Sequence, residues 1–227
     1  MIKRIPFLSI GLILCLAFCF YVEYLVGALT NSALLISSFS VSRSVVMNGH
    51  FMRLATACLF HVNTGHLISN VVGLIIFVSI LEFTAGRYRT LLVVLLSGIG
   101  GELGSIILQI VPWNVGASSI LFGVYGAIGV LLLFHRRGLK SIFWVLALLW
   151  IIYLAFMSVA GYISLKTVDH GAHVGGLLAG VLTAASIMHR DSGTGLRSPS
   201  TTTKVVAVAL CVVFITAFAA EAFVFWP

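Results

Sequence analysis

Residues 64–83 read TGHLISNVVGLIIFVSILEF, twenty residues that carry one charge, Glu82, next to their end. A helix rising 1.5 Å per residue covers about 30 Å over that length, the thickness of the hydrocarbon core of a bilayer. Helix is the form such a run must take in lipid, because its backbone groups find no water to bond. Six further apolar stretches surround it, at about 7–29, 90–111, 118–134, 141–160, 170–188 and 205–226. Composition agrees with this reading. Of the 227 residues 60% are hydrophobic and 8% charged, and the mean hydropathy is +1.16. A soluble domain carries roughly 25% charged residues. With 13 Lys plus Arg and 6 Asp plus Glu, this chain cannot clothe a water-facing surface, so the lipid bilayer is its main solvent.

The expected fold class is an all-α polytopic membrane protein of about seven spans. A six-span membrane domain occupies 1–190, a polar linker 191–204, and a seventh transmembrane helix 205–227. The linker, DSGTGLRSPSTTTK, is rich in Gly, Ser, Thr and Pro, the composition of a flexible connection. The first stretch follows Lys3 and Arg4, as a signal peptide would, but its apolar run is longer than a usual signal core and reads as a retained span.

The net charge of +7 does not form a nucleic-acid face, because the basic residues are scattered between apolar runs. Their distribution sets topology instead. With the N-terminus in the cytoplasm, Lys3, Arg4, Arg87, Arg89, Arg136, Arg137, Lys140, Arg190, Arg197 and Lys204 face inward. Arg43, Arg53 and Lys166 face outward. The C-terminus then lies outside, with Trp226 at the interface. Short loops and the absence of appended soluble domains suit a bacterial plasma membrane. Cys15, Cys19, Cys58 and Cys211 form no CxxC pattern, so neither a disulfide nor a metal is inferred, and no cofactor is called for. The first outer loop, about 30–63, is long and mixes apolar residues with Asn31, Arg43, His50 and Arg53. Such a loop is usually functional, and it is expected to lie partly in the outer leaflet.

In so apolar a chain, polar groups near helix ends are the informative positions. Three clusters fall at the outer side. In HVNTGHLISN, Asn63 or Thr64 can cap the second span, and His66 and Asn70 stand i and i+4 on one face, with His61 just before. In VGASSILFGVYGAIG, Ser118 opens the fourth span after Pro112 and Asn114, followed by Gly123, Gly126 and Gly129. In DHGAHVGGLLAG, His173, Gly176 and Gly180 stand at i, i+3 and i+7 of the sixth span. Gly176-Leu-Leu-Ala-Gly180 is a small-xxx-small pattern that lets another helix approach backbone to backbone. If the fourth span packs there, Ser118 and His173 reach the same depth. A serine within hydrogen-bond reach of a histidine is an activated nucleophile, and His66 and Asn70 supply donors for an oxyanion.

Each residue taken singly has a plainer reading. A serine at a helix start is usually a cap, a histidine near an interface is usually a packing residue, and Asn70 can bridge two helices. Convergence at one depth, on helices built for close contact, outweighs those readings. Asp169, four residues before His173, can orient the imidazole, but its place at a helix N-terminus favours a cap. Glu102 is an acid inside the third span with no obvious partner.

At these residues the sequence resembles the rhomboid family of intramembrane serine proteases. His61, His66 and Asn70 match its H-x4-H-x3-N pattern, and Gly116-Ala117-Ser118 its Gly-x-Ser motif, with Phe122, Gly123 and Gly126 following. Ala172, His173, Gly176 and Gly180 match its Ala-His-x-x-Gly-x-x-x-Gly. Arg53, Glu82, Gly86 and Arg87 fit as well. The likeness covers about 49–182, and the last span looks like the family's common C-terminal addition to a six-helix core, a 6+1 arrangement.

The resemblance implies a Ser118–His173 dyad with no metal or cofactor. His66, Asn70 and the Ser118 amide would form the oxyanion hole, Phe122 would pack on the catalytic imidazole, and His61, Gly116 and Gly176 would support the site. Substrates would be single-span membrane proteins, entering sideways and cut near the outer face. The sequence departs from the family at Ser119, where Gly is usual. That residue puts a side chain near the expected oxyanion site and a second hydroxyl beside the first. Spacing from Gly116 and to Phe122 selects Ser118. The family's first-loop Trp-Arg pair is also blurred, reading His50-Phe51-Met52-Arg53.

Two other classes compete. An inactive rhomboid-like protein that binds transmembrane clients would lack Ser118 or His173, and both are present. A transporter using His61, His66, His170 and His173 lacks an HExxH motif, a carboxylate cluster or an inverted repeat in support.

Overall fold

The structure, a computed structural model, describes residues 5–134, 168–188 and 198–225, together with positions 152 and 196. The expected span at 141–160 lies, apart from Ile152, outside the described residues, as does Trp226. Among the described residues the elements are helices: α1 (Phe7–Leu25), α2 (Ser32–Phe39), α3 (Arg43–Met47), α4 (Arg53–Thr56), α5 (Thr64–Ala85), α6 (Arg87–Leu108), α7 (Ser118–Phe134), α8 (His170–Ile187) and α9 (Thr201–Phe225). In α1, α5, α6, α8 and α9 an apolar stretch is long enough to cross a bilayer, and α7 is a shorter apolar helix. The chain is an integral multi-pass membrane protein.

Boundaries moved where a polar group found a partner. The third span begins at Arg87 rather than 90, because Arg89 is buried and donates to the Ala85 and Ile187 carbonyls. Its helix ends at Leu108, followed by Gln109 in the left-handed region. α9 begins at Thr201, inside the stretch read as linker, where the Ser200 hydroxyl accepts the Thr203 amide. Asn63, not Thr64, caps α5, its side chain accepting the His66 amide.

The connection between α1 and α5 folds into α2, α3, α4 and a 3-10 turn at Ala57–Leu59. Asn31 and Ser42 cap α2 and α3. Arg53, fully buried, donates to the Ser37 and Ser40 carbonyls. An antiparallel β-bridge joins Val41 to Asn114 and so fastens this loop to the segment before α7.

Glycine decides how the central helices pack. A side-chain carbon at Gly176 would collide with the Ser119 carbonyl, and one at Gly180 with the Gly123 carbonyl. Contacts advance by four residues on both chains, so α7 and α8 run parallel and touch backbone to backbone. The opposite face of α8 does the same to α6, in antiparallel sense, with Gly171 against Gly104 and Gly175 against Gly100. Lipid gives helices no hydrophobic drive to associate, so such close van der Waals contact carries the stability. Gly126 joins the α7–α8 seam, meeting the Leu177 carbonyl, whereas a side-chain carbon at Gly129 would meet nothing among the described residues.

Candidate active site

The register of the α7–α8 seam sets the site. Ser119 pairs with Gly176, so Ser118, the first residue of α7, stands beside the turn of α8 that carries His173. Ser118 Oγ lies 3.0 Å from His173 Nε2. Phe122, one turn into α7, stacks on the imidazole with centroids 4.1 Å apart and planes 8° from parallel, which fixes the ring plane. His170 meets the same ring edge-on at 6.0 Å.

Asp169 does not reach His173. Its carboxylate accepts the Ala172 amide at 3.1 Å as the N-cap of α8, and His173 Nδ1 has no hydrogen-bond partner among the described residues. Among the described residues the polar arrangement at the imidazole is a pair, not a triad.

Ser119 diverges from its neighbour. It is fully buried, and its side chain points at Gly101 of α6, where a side-chain carbon would collide with it. A helix turns about 100° per residue, so two consecutive serines cannot both face His173.

His66 and Asn70 share a face of α5, but they engage different neighbours. The His66 ring lies against Gly116, two residues before Ser118. Gly116 has φ +126°, and a side chain there would strike that ring, so the Gly-x-Ser motif needs glycine on two grounds. Asn70 Nδ2 lies 3.1 Å from His61 Nε2. The fully buried His61 ring packs edge-on against His66 at 5.0 Å. Burial, reinforced by His66, pushes the His61 imidazole down to about 3, so it is neutral and accepts the Asn70 N–H at Nε2.

Three contributors escape a local reading of the sequence. Glu102 is fully buried and accepts the Asn114 side-chain Nδ2–H at 3.0 Å. With the bridge to Val41, it fixes the strand-like segment that leads into Gly116. Glu23, near the end of α1, is fully buried and accepts the His61 amide at 2.9 and 3.2 Å. Gly100 and Gly104 make the second seam of α8. The signals were present: an acid within each of two apolar spans, and a small-xxx-small pattern in the third.

Residues 48–190 match the family model described as the Rhomboid domain. The Rhomboid protease GluP of Bacillus subtilis (strain 168) is 30% identical over 169 residues, 74% of this chain and 32% of that protein. The Putative rhomboid protease YdcA of the same organism is 33% identical over 140 residues, 60% of this chain and 67% of that protein. RHOMBOID-like protein 6, mitochondrial, of Arabidopsis thaliana is 36% identical over 138 residues, 61% of this chain and 44% of that protein. The matched part of the chain thus spans from about a third to two thirds of the length of these relatives.

Proposed function

The chain belongs to the rhomboid family, and from that premise we propose that it is an intramembrane serine endopeptidase acting through Ser118 and His173. The observation that carries this reading is the 3.0 Å contact between Ser118 Oγ and His173 Nε2. Nε2 accepts the hydroxyl proton as Oγ attacks a peptide carbonyl. The resulting oxyanion is met by the Ser118 amide at the start of α7, where helical N–H groups are free, and by His66 and Asn70 on α5. His173 then returns its proton to the leaving amine. Water, deprotonated by the same nitrogen, releases the acyl group from Ser118. Stacking on Phe122 keeps Nε2 aimed at Ser118 through these transfers.

The substrates are transmembrane proteins cleaved near the outer face of the bilayer. The excess of basic residues on one set of loops supports a cytoplasmic N-terminus and an outer C-terminus, in a plasma membrane of bacterial type. The six-span domain is 1–190, joined by 191–204 to the helix of 205–227.

Cleavage of a generic single-span substrate by wild type, Ser118→Ala, Ser119→Ala and His173→Ala tests the reading. Activity survives in the Ser119 variant and disappears in the other two, a loss on the order of 10⁴-fold or more. Loss confined to Ser119→Ala moves the nucleophile by one position. No cleavage by any version, in detergent and in lipid with several substrates, makes the protein a binder of transmembrane clients.

A further inference from the structure

We propose that Glu23 is a positioning residue for the oxyanion donors, an inference that rests on the protease reading above. Within the segment 60–63 the neighbours of His61 are tied locally. The Phe60 amide is bound to the Ala57 carbonyl, and the Asn63 side chain caps α5. The His61 amide is instead held from α1, 38 residues earlier, by both carboxylate oxygens of Glu23. An acid wholly enclosed inside a spanning helix is expensive to keep, and its partner indicates what it is kept for.

That partner touches both side-chain donors. The His61 ring meets His66 edge-on at 5.0 Å, and its Nε2 binds one N–H of Asn70 at 3.1 Å. The two N–H bonds of a carboxamide share one plane, so holding one aims the other. A shift of the His61 main chain therefore turns the Asn70 amide and frees the His66 ring from the wedge between His61 and Gly116. Glu23 touches neither Ser118 nor His173 by hydrogen bond. It acts through His61, and so on transition-state stabilisation rather than substrate binding.

The experiment measures kcat, KM and thermal unfolding for Glu23→Ala, Glu23→Asp and Glu23→Gln, each alone and in an Asn70→Ala background, with rates scaled to folded protein. Glu23→Ala and Glu23→Asp, which remove or retract the acceptor, lower kcat roughly 10- to 100-fold with KM within about twofold. Glu23→Gln keeps a carbonyl acceptor and recovers the rate to within about threefold. In the Asn70→Ala background the Glu23 losses shrink at least about threefold, because one of the two donors they misplace is gone. Equal losses in both backgrounds, or losses that vanish once rates are scaled to folded protein, overturn the inference and leave Glu23 a fold clamp. Glu23→Asp keeps the test open should Glu23→Ala not fold. Absence of wild-type cleavage, or an unchanged rate in Asn70→Ala alone, instead overturns the oxyanion reading itself and the inference with it.

Discussion

At the end of the bundle away from Ser118, charged side chains close helix termini. Glu82 of α5 accepts the Leu8 and Ser9 amides at 3.1 and 3.2 Å, capping α1, whose own N-cap is a proline with no side-chain acceptor. Arg89 closes the far ends of α5 and α8 through the Ala85 and Ile187 carbonyls. At the end that holds Ser118, the polar groups bind one another and the loops instead: Glu23 to His61 to Asn70, Glu102 to Asn114, Ser118 to His173. There, too, Nδ1 of His66 and His173, Oε1 of Glu102 and Oδ2 of Asp169 are buried with no hydrogen-bond partner among the described residues. A buried polar atom left unmatched costs about 1–3 kcal/mol, so a structure concentrates such atoms where chemistry needs them. One end matches its polar groups to helix termini, and under the proposed function the other leaves some unmatched for a reactive arrangement.

Substitutions at the two ends should therefore separate rate from stability. His66→Ala and Asn70→Ala should each lower kcat per folded molecule on the order of 10²- to 10³-fold, the second also costing about 1–3 kcal/mol of stability by stranding His61 Nε2. A melting drop large enough to account for the lost rate would make these residues part of the scaffold and erase the distinction. Truncating the charge at the other end should do the reverse. Glu82→Ala should cost about 2–3 kcal/mol of stability by stranding the α1 amides, while kcat per folded molecule stays within about twofold. Coupled loss of rate would mean that the α1 cap reaches the site.

Phe122→Ala sits between these extremes. It removes the stacking partner of His173 and should lower kcat about tenfold while leaving KM unchanged, with part of the effect restored by Phe122→Tyr. The smallest effect is expected at Gly129. Among the described residues nothing crowds a side-chain carbon there, so Gly129→Ala should stabilise by up to about 1 kcal/mol through helix propensity. Gly126→Ala should destabilise, because the added methyl meets the Leu177 carbonyl. Melting temperatures of the two variants give the sign directly.

Much of this protein could be read along the chain. The spans follow from apolar length, and the described helices α1, α5, α6, α7, α8 and α9 fall where the stretches do. Ser118, His173, His66 and Asn70 stood out because lipid penalises polar groups. Gly176 and Gly180 marked a close seam by their spacing. These are local signals, with periods of one or two helical turns.

What the chain alone could not give is the partner of each polar group, because most of those partners lie between 9 and 98 residues apart in sequence. Glu102 looked solitary until Asn114 came beside it, and Glu23 did not stand out among the apolar residues of the first span. The choice between Ser118 and Ser119 shows the division most sharply. Spacing favoured the first, but the α6–α7–α8 packing turns one hydroxyl to His173 and buries the other against Gly101. The sequence by itself determined a membrane protein and pointed to Ser118, His173, His66 and Asn70 as polar groups near span ends, because hydropathy and helical period are properties of short segments. Only the tertiary structure decided which hydroxyl meets the imidazole and which acids hold the loops, because those contacts exist once glycine seams have brought distant helices into register.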